Sequence, residues 1–365
     1  MNKVAAPARP ARSFFNWKAV VGIAISVVAL WYALRGVSWS AVFGEARRAN
    51  PFLFLLAVFF ATAVFWIRAW RWRTLLGETA PDSSFRSRLA ATLIGFMGNN
   101  ILPARVGEFA RAYAFARMEK VPVVSAFGSL VIERLFDAIG IVALLLVTMS
   151  LPGVPDLSNL AGRNVSAATH TLAILIGVAL LLAGALVIAP QKTVSFVEKY
   201  PARLLPHGMR RRFVDALEAF LSGLSVLRSP LLLSAAVVQT FVLWIFNAAG
   251  FWIGFKAFGI DLPFSAALLL QSVVAMAVSV PSAPGFFGLF EGAARLVLIS
   301  GYGIPLAKMI SFTLAFHMGG FIPVTLLGLY YAWKLGISLR EVEASEETIE
   351  EAVEDIIPEP PGPRG

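Results

Sequence analysis

The chain has 365 residues, 58% of them apolar and 15% charged, with a mean hydropathy of +0.75; soluble domains run at about half apolar and about a quarter charged, so an ordinary soluble fold is excluded. Cysteine is absent, which removes disulfides, thiolate nucleophiles and cysteine-ligated metals. The net charge is +9, but the basic residues sit in short segments between apolar runs, a placement that fits anionic lipid headgroups and argues against nucleic acid as a partner.

Residues 1–16 form a basic segment, and the apolar run at 17–35 that follows has no small-residue cleavage site after it. It reads as a retained first span, not a signal peptide. Further runs long enough to cross a bilayer core are expected at 51–70, 122–149, 168–190, 231–256 and 305–334. Two other apolar stretches are broken. Residues 89–102, "LAATLIGFMGNNIL", are too short to span and end at Pro103, and residues 264–300 contain Pro281, Pro284, Gly285 and Gly288. Irregular backbone at membrane depth is tolerated only where protein or a watery cavity covers it, so both read as re-entrant hairpins.

The expected fold is therefore an all-α polytopic membrane protein of about six full spans plus two re-entrant or broken helical hairpins. Basic loops at 71–88 and 190–230, with Lys334 and Arg340, fall on one side, and the poorly basic loops at 150–167 and 257–263 on the other. The positive-inside rule then places both termini in the cytoplasm. Arg47 and Arg48, in a loop assigned outside, run against it. Residues 336–365 are acidic and expected to be a disordered cytoplasmic tail. Trp17, Trp31, Trp66, Trp70, Trp72 and Trp333 lie near span ends and read as interface anchors.

Within the transmembrane domain at 17–335, halves of about 51–190 and 231–335, joined by a basic cytoplasmic loop at 191–230, resemble one another. Proline followed by glycine four residues on recurs (Pro103 and Gly107; Pro284 and Gly288), then an acid (Glu108; Glu291). A proline opens a long span in each (Pro122; Pro305), with polar groups at matching depth: Glu133 and Arg134 in one, His317 in the other. Because the halves have opposite orientations, this predicts an inverted repeat, which in transporters places the substrate near the midplane at broken helices.

The charges in these segments are the candidate site. Arg105, Glu108 and Arg111 are spaced to share one helix face and to pair internally, either as a solvated interfacial helix or as a cationic lining for a phosphate, which guanidinium binds bidentately. Glu133, Arg134 and Asp137 lie in mid-span, where an unpaired charge costs roughly 2.5–3.5 kcal/mol. They are expected to be paired with one another or to face water. Glu291 has no basic neighbour in its hairpin and is expected to pair with an arginine of the first repeat. His317 is a proton group or a packing hydrogen-bonder, and Gln239, Asn247 and Gln271 read as interhelical hydrogen bonders. The histidines, His170, His207 and His317, are too far apart in sequence to suggest a metal site, and no cofactor is expected.

Taken in order, Pro103-x-Arg105-x-Gly107-Glu108-x-x-Arg111, Glu133-Arg134-x-x-Asp137 and Pro281-x-x-Pro284-Gly285-x-x-Gly288-x-x-Glu291 resemble the lysylphosphatidylglycerol-synthase transmembrane family, whose members are called flippase-like. The resemblance covers about residues 17–335. It implies a bacterial or archaeal inner membrane, a lipid substrate and lipid translocation. The synthase members carry a soluble aminoacyl-transferase domain after the membrane region; here only the acidic tail follows, so synthesis of an aminoacyl lipid is not expected.

The resulting expectation is a flippase or scramblase for an anionic phospholipid. Arg105, Arg111 and Arg134 would meet the headgroup, and Glu108, Glu133, Asp137 and Glu291 would orient those arginines or carry a coupled proton. A membrane-embedded lipid-modifying transferase, and a non-catalytic partner of a separate lipid synthase or glycosyltransferase, are the alternatives. No GxxxxGK[ST] phosphate loop is present, so ATP-driven export by this chain alone is not expected.

Overall fold

A computed structural model of the protein describes residues 17–77, 79–102, 105–155, 226, 229–280 and 282–345. The described residues are helical with no strand: α1 (Trp17–Leu34), α2 (Trp39–Arg48), α3 (Pro51–Leu76), α4 (Phe85–Ile101), α5 (Gly107–Glu119), α6 (Val123–Met149), α7 (Pro230–Ala257), α8 (Phe264–Ala277), α9 (Leu289–Ala294), α10 (Leu306–Lys334) and α11 (Leu339–Glu343). A 3₁₀ turn at Pro284–Phe286 precedes α9, and a π-helical segment, Arg295–Gly301, follows it.

Of the described helices, α3, α7 and α10 are each long and apolar enough to cross a membrane alone; α1 and α2, bent by 78°, add a fourth crossing if taken together. The starts of α3 and α7 are set by the same chemistry. Asn50 accepts the N–H groups of Phe52 and Leu53 at 3.0 and 3.1 Å, Ser229 accepts that of Leu232 at 3.4 Å, and proline follows each cap. Proline at the first helical position costs no hydrogen bond, since that N–H has no helical partner. The expected span at 168–190, the segment 1–16, nearly all of the loop at 191–230, the tail beyond 345, and Pro103 and Pro281 lie outside the described residues.

Both broken segments are present. The first hairpin is α4 and α5 with a break after Leu102. Its helices meet backbone to backbone: a Cβ on Gly107 would overlap the Gly95 carbonyl oxygen, and one on Gly98 would come within 2.9 Å of the Gly107 Cα. The second break runs from Val278 to Gly288 between α8 and α9, with Gly285 at φ +70° and Gly288 at φ +89°. Gly288 presses against α1, where any Cβ would overlap the Ser26 carbonyl. The two breaks touch, because Arg105 donates to the Ser279 carbonyl oxygen at 3.3 Å and lies 5.7 Å over the Phe286 ring.

Three segments depart from expectation. The stretch 36–50, read as a loop, holds α2, and the first residues of the expected disordered tail form α11, whose start is capped by Ser338; the third departure is in α3. Residues 71–88 do not begin as a loop: α3 continues to Leu76, with Arg71 and Trp72 fully buried. The cause is periodicity. Arg68, Arg71, Trp72 and Leu75 fall at i, i+3, i+4 and i+7, one inward stripe, while Trp66, Trp70 and Arg73 take the exposed face. Trp72 is thus no interface anchor; its Nε1–H donates to Ser129 Oγ at 3.0 Å. Arg88, also expected in that loop, is buried and donates to the carbonyls of Ala69 and Ser83, tying α3 to α4.

Candidate functional site

α6 carries Glu133, Arg134 and Asp137 into the interior, and α3 and α5 bring the countercharges. Arg111 on α5 grips Glu133 with two parallel hydrogen bonds, Nη1 to Oε1 at 2.8 Å and Nη2 to Oε2 at 2.9 Å, while its guanidinium lies 4.0 Å over the Trp72 ring. Asp137 accepts from Arg68 at 3.1 Å and from Arg71 at 2.7 Å, and Arg71 also donates to Thr240 on α7 at 3.0 Å. Arg134 donates to Glu133 at 2.8 Å and lies 3.6 Å from Asp137 and 3.7 Å from Glu108. Glu133, Arg71 and Arg111 are fully buried. Arg134 is the open member, its side chain 34% exposed.

Four arginines (68, 71, 111, 134) therefore face three carboxylates (Glu108, Glu133, Asp137), leaving one positive charge in excess. Such a knot holds its helices in register, because removing one member strands the others without water.

The first-hairpin triad is arranged differently from expectation. Arg105 is not on the helix; it sits in the break at φ +60°. Glu108 lies 3.7 Å from Arg134 on α6 and also interacts with the charge of Arg105 in its own segment, while Arg111 pairs across to α6. Glu291 meets no arginine: its Oε1 lies 2.7 Å from His317 Nδ1, and its Oε2 accepts the Gly288 N–H at 2.7 Å. His317 Nε2 lies 2.9 Å from the Gly285 carbonyl oxygen, with the Phe290 ring stacked on the imidazole at 4.3 Å. Thus Arg111, Arg134, Glu108, Glu133 and Asp137 converge, Arg105 bridges the two breaks, and Glu291 forms a second centre with His317.

A cavity of about 230 Å³ separates the two centres. Its polar groups are Arg68, Asn100, Asn247, Gln271 and His317, and its walls include Phe96, Trp244, Phe286 and Phe290. Arg68 stands between the Phe96 and Trp244 rings, 5.3 and 5.5 Å from their centroids, with Asp137 behind it. Asn247 donates to Gln271 at 3.0 Å and Gln271 to the Trp244 carbonyl at 2.8 Å, the interhelical bonding expected of them. Sequence reasoning missed Arg68 and Arg71 because they end an apolar run; their i, i+3 spacing and the alternation "RAWRWR" were the signal. Among the described residues no group of three His, Cys, Asp or Glu side chains could hold a metal.

Apolar helices long enough to span, interrupted by two breaks that meet beside buried charge, define a multi-pass helical membrane protein. Residues 19–328 match the family described as "Lysylphosphatidylglycerol synthase TM region", and the chain belongs to it. A UPF0104 membrane protein of Methanothermobacter thermautotrophicus is 24% identical over 336 residues, covering 89% of this chain and 97% of its own. A second UPF0104 membrane protein of that organism is 23% identical over 332 residues, covering 85% and 92%. Glycosyltransferase AglD of Haloferax volcanii is 28% identical over 151 residues, which are 40% of this chain but only 24% of AglD. No solved structure matches.

Proposed function

We propose that the protein moves an anionic phospholipid headgroup between leaflets, as a flippase or scramblase of the inner membrane. The observation that carries this reading is the excess buried cation beside the cavity. A guanidinium uncompensated at membrane depth is costly, and a phosphate would offset that cost through the paired geometry guanidinium offers. Arg68, which lines the cavity between two rings while holding Asp137, and Arg134, about one-third exposed while holding Glu133, are the knot's cations that border open space and would meet the headgroup, with Arg105 at the junction of the breaks. Arg111 is committed to Glu133 and positions α5 against α6. In this reading the two breaks belong to halves of an inverted repeat of about six spans, with both termini cytoplasmic, and the acyl chains stay in lipid.

The test uses purified protein in liposomes containing trace labelled anionic phospholipid, with the outer leaflet quenched chemically. Wild-type protein should expose label beyond the outer half, and Arg134→Gln and Arg68→Gln should each reduce that excess at least about tenfold, the consequence of losing about 1.4 kcal/mol of headgroup interaction. Quenching that stops at half for the wild type would sink translocation of that lipid.

The likeness to a chain named a glycosyltransferase supports a second reading, a non-catalytic membrane partner for a separate transferase. That partner should tolerate Arg68→Gln and Arg134→Gln without loss of the transferase activity.

A further inference from the structure

Glu291 differs from the other buried carboxylates among the described residues. Glu133 and Asp137 each lie 2.7–3.6 Å from three or more guanidinium groups. Their partners are guanidinium groups, which do not give up a proton in proteins. Glu291 is fully buried, and its ion-pairing partner among the described residues is His317 alone.

The contacts count the protons. The Gly285 carbonyl can only accept, so His317 Nε2, 2.9 Å away, carries a hydrogen. The 2.7 Å contact between Nδ1 and Glu291 Oε1 needs a hydrogen as well. A neutral imidazole has one N–H. The pair therefore holds one proton more than a neutral imidazole and a carboxylate, whether it sits on Nδ1 or on Oε1.

That proton holds backbone. Glu291 Oε2 accepts from Gly288 and His317 donates to Gly285, so the pair fastens both ends of a turn whose residues 285, 286 and 288 have φ of +70°, +62° and +89°. Loss of the proton leaves one N–H for two acceptors, and one fastening must open. A buried acceptor left without its donor is costly, and Phe286, a non-glycine residue at φ +62°, gives the turn a reason to relax once a fastening opens. Phe286, within the turn, and Phe290, just after it, are cavity walls.

Other charged groups near the pair are engaged elsewhere. α3 contributes Arg68 across the cavity, bound to Asp137. The first break contributes Arg105 over Phe286, and the segment after α9 contributes Arg295, which donates to the Ala33 and Arg35 carbonyls and lies over the Tyr32 ring of α1. α4, α7 and α8 line the cavity with the amides Asn100, Asn247 and Gln271.

We infer that Glu291 and His317 form a proton-binding site that sets the conformation of the second helix break. Resting on the translocation reading above, proton release from this pair opens the cavity wall. The step is a bare proton transfer: one proton leaves Nδ1 or Oε1 for water, leaving neutral imidazole and carboxylate, and no other covalent bond changes.

The chain has no cysteine, so Ala283→Cys places a single thiol on the break. Its rate of maleimide labelling in proteoliposomes is measured from about pH 5 to about pH 9, the range in which imidazole charge changes. The same thiol is then labelled in a Glu291→Gln background. Glutamine can donate to Nδ1 and accept from Gly288, so it keeps the proton-loaded geometry without titrating. The rate ratio between the two backgrounds cancels the thiol's own ionisation. It should rise severalfold with pH; a constant ratio overturns the proposal.

A second measurement needs only the unaltered chain. With ring-¹⁵N histidine, the His317 signals, identified by their loss in His317→Gln, should move over the same interval; signals that stay fixed overturn it. Lipid translocation is followed in the same vesicles. A changing ratio without translocation overturns the transport reading and keeps the proton site; translocation with a constant ratio does the reverse.

Discussion

At the scale of single residues, the buried charges work as one knot, and its centre is Glu133, reached by Arg68, Arg71, Arg111 and Arg134. Glu133→Gln leaves Arg111 without its bidentate partner in a site closed to water. The expected loss of stability is about 3–5 kcal/mol, read as a lowered unfolding midpoint in detergent. Combining Glu133→Leu with Arg111→Met should recover much of that loss, since an apolar pair of similar volume is often neutral; a double variant no better than the single would contradict the knot. The α6 charges were legible in the sequence because charge in mid-span demands a partner. Their α3 partners were not, because Arg68 and Arg71 close an apolar run and look like the start of a basic loop. His317 was visible only as a lone histidine: its acid lies 26 residues away, across a break whose geometry no periodicity encodes.

Helices make contact here through glycine. Gly107→Ala would drive a methyl into the Gly95 carbonyl and Asn99 Oδ1, and would disturb the hydrogen bond from Gly107 N–H to that oxygen, 3.0 Å long. Overpacking of this kind costs about 1–3 kcal/mol. A fall in the detergent unfolding midpoint should report it, and an unchanged midpoint would mean that α4 and α5 do not touch at this point. The short α11 is held differently, by Val342 buried beside Gly98 and by Glu341, which lies 3.0 Å from Arg117. Hydrogen bonds from the Ser338 backbone and hydroxyl, then Arg117, hold the Glu341 carboxyl below its ordinary value. A depressed carboxylate stabilises the docked state above that ordinary value, about 4.3, and the contribution disappears as pH falls through the lowered one. Amide protection in residues 338–345, exchange corrected for the intrinsic rate at each pH, should therefore be high near neutrality and fall below about pH 4. Protection that is constant with pH would remove Glu341 from the account.

Across the whole molecule, contacts sort the connections to two ends. At one, the Asn50 N–H bonds to the Ala257 carbonyl at 2.7 Å, and Lys308 reaches both Glu45 and the Gly259 carbonyl. At the other, Ser84 bonds to Glu119 at 3.2 Å and Arg117 to Glu341. This grouping matches the sides expected from loop charge for 36–50 and 257–263 on one hand and 71–88 and 335–345 on the other. In intact cells an impermeant thiol reagent should label Ser40→Cys, and should label Arg340→Cys only after permeabilisation; the opposite pattern would invert the orientation. The sequence marked both breaks through their prolines and glycines, but not that they would meet. That junction has an energetic character of its own. Arg105 and Phe286, both non-glycine residues at positive φ, face each other across it. Each left-handed residue costs roughly 1–2 kcal/mol. Their cation–π contact returns about 0.5–2 kcal/mol, and the hydrogen bond from Arg105 to Ser279 about 1 kcal/mol. Cost and gain cancel to within a few kcal/mol, so an arrangement without the closed junction is accessible as a minor state, and a ligand that prefers it by a similar amount can bring it forward.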